Sequence, residues 1–116
     1  MFDALKNLAN LPEMLARLRE MRQQMAALQE ELARRQATAE AGGGLVQATV
    51  NGRLELVKLR IDRQRIDPAD VEMLEDLIVA AVAAAQKRAA QMVQDELRRK
   101  ALEHGLPPDL TGLAGS

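Results

Sequence analysis

The chain has 116 residues, 47% of them apolar and 28% charged, the size and composition of one small globular domain. It contains one Phe and one His but no Tyr, Trp or Cys, which excludes base stacking on aromatic platforms, disulfides, thiolate metal sites and Cys nucleophiles. Sixteen bases against 17 acids leave a net charge of -1, so attraction for nucleic acid would have to come from local clustering.

No stretch approaches the roughly 18 apolar residues of a membrane span, and Met1 to Asn10 lacks the basic and then apolar segments of a leader, so a cytoplasmic protein is expected. His104 alone cannot assemble a usual zinc site, and its place near a helix end fits complementation of the helix dipole. Neither a cofactor, a metal nor catalysis is expected.

The first strong signal is an apolar seam at 3–4 spacing, Leu11, Met14, Leu18, Met21, Met25, Leu28 and Leu32, with Glu, Arg and Gln on the outer faces. With Asn10 and Pro12 as start signals, it predicts a helix over 12–35, roughly 36 Å long and built to pair. A shorter helical turn is expected around 2–8. The methionines of the seam are read as packing residues.

At Ala37 the period changes from 3.6 to 2, and Gly42, Gly43 and Gly44 interrupt any helix. Strands are expected at about 36–41, 45–51 and 53–61, with Asn51-Gly52 as the hairpin turn between the last two. Strands on both sides make the glycine run a turn and not a phosphate-cradling loop. On the last strand Leu54 and Leu56 share one face while Val57, Leu59 and Ile61 share the other, which predicts a bulge or twist between Leu56 and Val57.

Asp67 as N-cap, Pro68 at the first helical position and Asp70 in the first turn then predict a second helix over 68–103, about 52 Å long. Asp67, Asp70, Glu72, Glu75 and Asp76 complement the positive end of its dipole, and capping explains these acids, and Asp62, better than a metal or acid-base pair. Its stripe runs Val71, Leu74, Ile78, Val82, Ala85, Ala89, Val93, Leu97. The tail over 106–116, with Gly and Pro and no periodicity, is expected to be loosely ordered.

The fold class is therefore α+β: a long N-terminal helix, a three-stranded antiparallel sheet and a long C-terminal helix in one domain over 1–105. Three strands with open edges and two long helices are too little to bury each other, so a homodimer is expected. Helix or dimer packing is assigned to Leu18, Met21, Met25, Leu28, Leu45, Val50, Leu59, Ile61, Leu74 and Ile78.

Gly42-Gly43-Gly44-Leu45-Val46, Val50-Asn51-Gly52, Leu59-Arg60-Ile61-Asp62 and above all Glu72-Met73-Leu74-Glu75-Asp76-Leu77-Ile78 followed by Ala80-Ala81 resemble the YbaB/EbfC family of bacterial nucleoid-associated proteins. The resemblance spans roughly residues 5 to 112. Two departures stand out: Arg63 follows Ile61-Asp62 where the family usually has Pro, and Ala83 aligns with a family Asn. The resemblance implies a tweezer-like homodimer whose helices project as arms, binding to double-stranded DNA, a role in nucleoid organisation and gene regulation, and no catalysis. In such an arrangement the start of the first helix and the end of the second share one distal tip.

Bases gather in those two segments. Arg17, Arg19 and Arg22 face only Glu20 nearby, and Lys87, Arg88, Arg98, Arg99 and Lys100 face Asp95 and Glu96. As a group they are the expected DNA-binding residues, acting by sequence-blind, salt-sensitive phosphate contact. The competing expectation is a coiled-coil interaction module that binds no DNA and carries these charges for solubility.

Overall fold

A computed structural model describes residues 5 and 8–105. The tail expected over 106–116 and most of the turn expected around 2–8 lie outside them. The order is α1 (Leu11–Arg34), β1 (Gln36–Ala41), β2 (Val46–Asn51), β3 (Leu56–Ile61) and α2 (Val71–Glu103), with the strands in one antiparallel sheet of order β1-β2-β3. This is the α+β class that the periodicities predict. The chain divides into two compact units, Met1–Glu31 and Leu32–Ser116.

In the first unit, Leu18, Met21 and Met25 are exposed with Leu11 and Met14, and Leu28 is half-buried. The seam is present, but nothing within the described chain covers most of it.

The second unit has the core. Alternation along the paired strands puts Ala37, Ala39, Ala41, Val46, Ala48 and Val50 on one face of the sheet, and α2 packs on that face across β1 and β2. It meets the sheet with Ala81, Ala85 and Ala89, all 0% exposed. Leu45 is buried with them, and Ile61, Leu74 and Ile78 pack against this cluster. The largest fully buried side chains are Val46 and Val50. Small methyl groups bring helix and sheet backbones close, which is how a core without aromatics is filled to normal density. β3 reaches this cover only at its end, through Ile61, while Leu56 and Leu59 stay exposed.

Three joints differ from the sequence expectation. The β2–β3 hairpin does lie at Asn51-Gly52, but its loop is three residues, Gly52 to Leu54, closed by the Asn51 N–H on the Glu55 carbonyl at 3.0 Å. β3 accordingly starts at Leu56 and not at 53. The Asn51 side-chain oxygen accepts from the N–H groups of Arg53 and Glu55, and the left-handed position belongs to Leu54 (φ 63°), not to Gly52. Gly52 is required for a different reason. Its N–H donates to the carbonyls of Leu32 and Arg35, both at 3.1 Å, and a Cβ on it would stand 2.1 Å from the Leu32 oxygen.

The second difference is at the glycine turn. Leu45 belongs to it, since its N–H donates to the Gly42 carbonyl at 3.3 Å, and β2 begins at Val46. Gly42, Gly43 and Gly44 all have positive φ, which only glycine adopts cheaply in succession. The third is the start of α2. Asp67 accepts from the N–H of Ala69 and closes a turn to Asp70, so the N-cap is Asp70, whose carboxylate accepts from Met73 N–H at 3.1 Å. Pro68 pre-sets that turn and not the first helical residue. The slip in β3 is a bulge: Val50 pairs with Leu56 and Thr49 with Lys58, leaving Val57 as the extra residue.

Far along α2, Glu96 is buried, 5% exposed, and accepts a forked contact from Arg99 while pairing with Arg35 at 3.1 Å. The Arg99 hydrogen bond lowers its pKa, with help from the charges of Arg35, Arg99 and Lys100, and outweighs the opposing effect of burial. Lowered in the folded state, this carboxyl adds stability above its unfolded pKa and loses it as pH falls through the folded one.

Two outcomes are expected, both read from urea midpoints at fixed protein concentration. Gly52→Ala destabilises the fold by about 3 kcal/mol, the upper end of overpacking costs, because the new methyl meets backbone. Glu96→Gln costs about 2 kcal/mol near neutral pH, the scale of hydrogen bonds to charged groups. Acidification from about pH 5 downward narrows the gap between Glu96→Gln and the wild type, since the wild-type carboxyl then protonates.

Candidate nucleic-acid interface

The charges on α1 and α2 fall into those held by a partner and those left to solvent. On α1, within the first unit, Arg17 donates to Glu13 at 3.2 Å. Arg19 and Arg22, three residues apart and so neighbours on the helix surface, are exposed and make no side-chain hydrogen bond or ion pair among the described residues.

On α2, within the second unit, the row Ala81, Ala85, Ala89 marks the side against the sheet. Lys87, Gln91, Gln94 and Arg98 follow one another at spacings of four, three and four on the opposite side, and all four are exposed. Lys87 and Arg98 lie about 16 Å apart along the axis at 1.5 Å per residue, and neither has a side-chain partner among the described residues. Acids concentrate at the other end, at Glu72, Glu75 and Asp76.

The remaining three sequence-chosen bases on α2 are engaged. Arg88 donates to the Thr38 carbonyl at 2.7 Å, closing part of the edge strand β1. Arg99 is shared between Glu96 and Glu103, and Lys100 lies 4.0 Å from Glu103. Glu96 thus acts as an internal counter-ion and not, as its charge type implied, as an exposed acid. Its position seven residues after Ala89, on the buried side of the helix, was the signal that could have revealed it.

The residues assigned to packing divide in the same way. Leu45 and Val50 are buried, Leu74, Ile78 and Ile61 are half-buried against the core, and Leu18, Met21, Met25 and Leu59 are exposed. On β3 and the loop after it a further set of charges stands outside the sequence expectation: residues 56–65 carry four bases, Lys58, Arg60, Arg63 and Arg65, and one acid, Asp62.

The model of the YbaB/EbfC DNA-binding family matches residues 6–103. A nucleoid-associated protein of Gemmatimonas aurantiaca is 47% identical over 90 residues, 78% of this chain and 86% of that protein. One from Moorella thermoacetica is 47% identical over 92 residues (79% and 88%), and one from Rhodococcus erythropolis is 42% identical over 106 residues (91% and 93%). Among solved structures, an uncharacterized protein from Helicobacter pylori matches with a TM-score of 0.51 and 29% identity, over 75% of this chain and 94% of that one. The elements, the glycine joints and these matches agree: the chain belongs to the YbaB/EbfC DNA-binding family.

Proposed function

We propose that this protein is a homodimeric nucleoid-associated protein that binds double-stranded DNA through phosphate contacts, without chemistry and with little reading of base sequence. The observation that carries the reading is the set of exposed cations that have no side-chain partner among the described residues, Arg19 and Arg22 on α1 and Lys87 and Arg98 on α2, in a chain of a DNA-binding family. They belong to the wider group Arg17, Arg19, Arg22, Lys87, Arg88, Arg98, Arg99 and Lys100, whose other members pair with groups of the chain itself. Phosphate contacts of this kind position a protein on the duplex and carry no sequence information. The family match over 6–103 supports treating 1–105 as one functional domain.

The homodimer is supported by apolar surface that one chain leaves open: the α1 seam of Leu18, Met21 and Met25, and Leu56 and Leu59 on edge strand β3. In the tweezer-like arrangement the helices form arms whose tips meet DNA. The site of action is the nucleoid in the cytoplasm, a reading supported by relatives named nucleoid-associated proteins, with gene regulation following from occupancy of DNA. Among the described residues no helix is long and apolar enough to cross a membrane.

Duplex binding measured across a salt series tests the reading. Affinity is expected to fall log-linearly with salt, and Lys87→Gln/Arg98→Gln to flatten the slope by about 1.8 for each protomer in contact with the duplex, at about 0.9 per lost phosphate contact. Binding that is absent at low salt, or indifferent to salt, overturns it in favour of a protein-interaction module. The solution mass is expected to be twice the chain's 12.7 kDa, and a monomer overturns the dimer.

A further inference from the structure

We propose that the sheet face turned away from α2 is a second phosphate-binding surface, built on Lys58, Arg60 and Arg63, and that it holds a duplex other than the one met by the helices. The proposal rests on the DNA-binding reading above and adds a site to it.

The alternation that sends Ala39, Ala48 and Leu59 toward α2 sends their neighbours the other way. Across the three strands, Thr38, Thr49 and Lys58 form one row of this outer face and Glu40, Gln47 and Arg60 the next. Thr38 and Thr49 join their hydroxyls at 3.1 Å, so the middle of the face is low and polar. Lys58 and Arg60 are exposed and have no side-chain hydrogen bond or ion pair among the described residues, and the same is true of Arg63 just after β3.

Nearby acids do not cancel these charges. Asp62 accepts from the N–H of Gln64 and lies 3.9 Å from Arg65, whose guanidinium also donates to the Gly43 carbonyl at 3.1 Å. Glu55 accepts from the Asn51 amide. Glu40, two strands from Arg60, forms no ion pair with it, although its carboxylate lies beside Gly44 at the same end of the face.

The end of this face is concave. A cavity of about 430 Å³ is lined by Gly44, Gln47, Arg60, Asp62, Arg63 and Gln64, which puts two guanidinium groups and two side-chain amides around one opening against the single carboxylate of Asp62. Forked N–H donors of this kind suit the oxygens of a phosphodiester. Protection of an edge strand would account for Lys58, but not for Arg63 in the loop or for the concave site it shares with Arg60.

The direction of the two surfaces assigns them to separate duplexes. Lys87 and Arg98 point away from the sheet on the far side of α2, while Lys58 and Arg60 point away from α2 on the far side of the sheet. A helix about 10 Å across and a sheet stand between them, so one straight duplex cannot touch both.

The experiment is a two-duplex capture with the full-length protein. One duplex is immobilised, the protein is loaded at low salt, and a labelled second duplex is added. Wild type is expected to retain both. Arg60→Gln/Arg63→Gln is expected to load on the immobilised duplex as wild type does and to capture at least about tenfold less of the second at low salt, where each phosphate contact weighs most. Both side chains are exposed and unpartnered, so an unchanged urea midpoint verifies that the variant is folded. If the double variant captures the second duplex as well as wild type, or if wild type loads but captures none, the sheet surface is overturned and the helix reading stands. If wild type does not load at all, it is the DNA-binding reading that fails.

Discussion

Close contact between α2 and the sheet sets the terms for the rest of the second unit. Ala81, Ala85 and Ala89 meet a face whose largest fully buried side chains are Val46 and Val50, so only small side chains separate helix and strands. Buried alanine contributes little by transfer from water, where a fully buried valine gives about 1.5–3 kcal/mol. Such a layer can be dense without being deep. It covers β1 and β2 and leaves Leu56 and Leu59 of β3 outside, and for that reason the sheet needs something beyond its own helix.

Because the layer is thin and made of equivalent methyl groups, it would tolerate sliding of α2 along the sheet if nothing else fixed the register. Side-chain contacts along the helix supply that fixing. Near its start Leu77 fills the space over Gly42, where any Cβ would stand 2.8 Å from the leucine. In the middle Arg88 reaches the Thr38 carbonyl, and further on Glu96 gathers Arg35 and Arg99. Arg35 directly follows α1, and Leu32 in the last turn of α1 leans on Gly52 of the hairpin. The end of the first helix is thus tied both to a turn of the sheet and to the second helix, through one glycine and one buried carboxylate.

What could be read in the sequence was local. The seam from Leu11 to Leu32, the change of period at Ala37 and the phase slip at Leu56-Val57 are properties of neighbouring residues, and each became a helix, a strand or a bulge. Asn51-Gly52 marked the right hairpin for the wrong reason, because the atom that forbids a side chain at Gly52 belongs to Leu32, twenty residues earlier. Asp67 and Asp70 are equally good caps in isolation. The choice falls on Asp70 because Asp67 is taken up by the Pro68 turn, which delays the helix to Val71. Glu96 was hidden by its own charge, since an acid among arginines reads as solvated until its place on the alanine side of the helix is considered.

That carboxylate also reorganises the electrostatics. A net charge of -1 gives duplex DNA no reason to approach the molecule as a whole, so contact has to depend on where cations lack an internal anion. By pairing with Arg99, and with Arg35 just after α1, Glu96 removes one base from the end of α2 that a count along the sequence leaves unpaired, and Glu103 restrains Lys100 beside it. Lys87 and Arg98 remain on the outer side of the helix, and Lys58, Arg60 and Arg63 remain on the outer side of the sheet. An α2-on-sheet layer held by methyl groups has no room for unpaired charge between its parts, so cations without an anion stand on its two outer surfaces. The same thin core that leaves the chain short of buried apolar surface therefore gives it two basic faces in opposite directions.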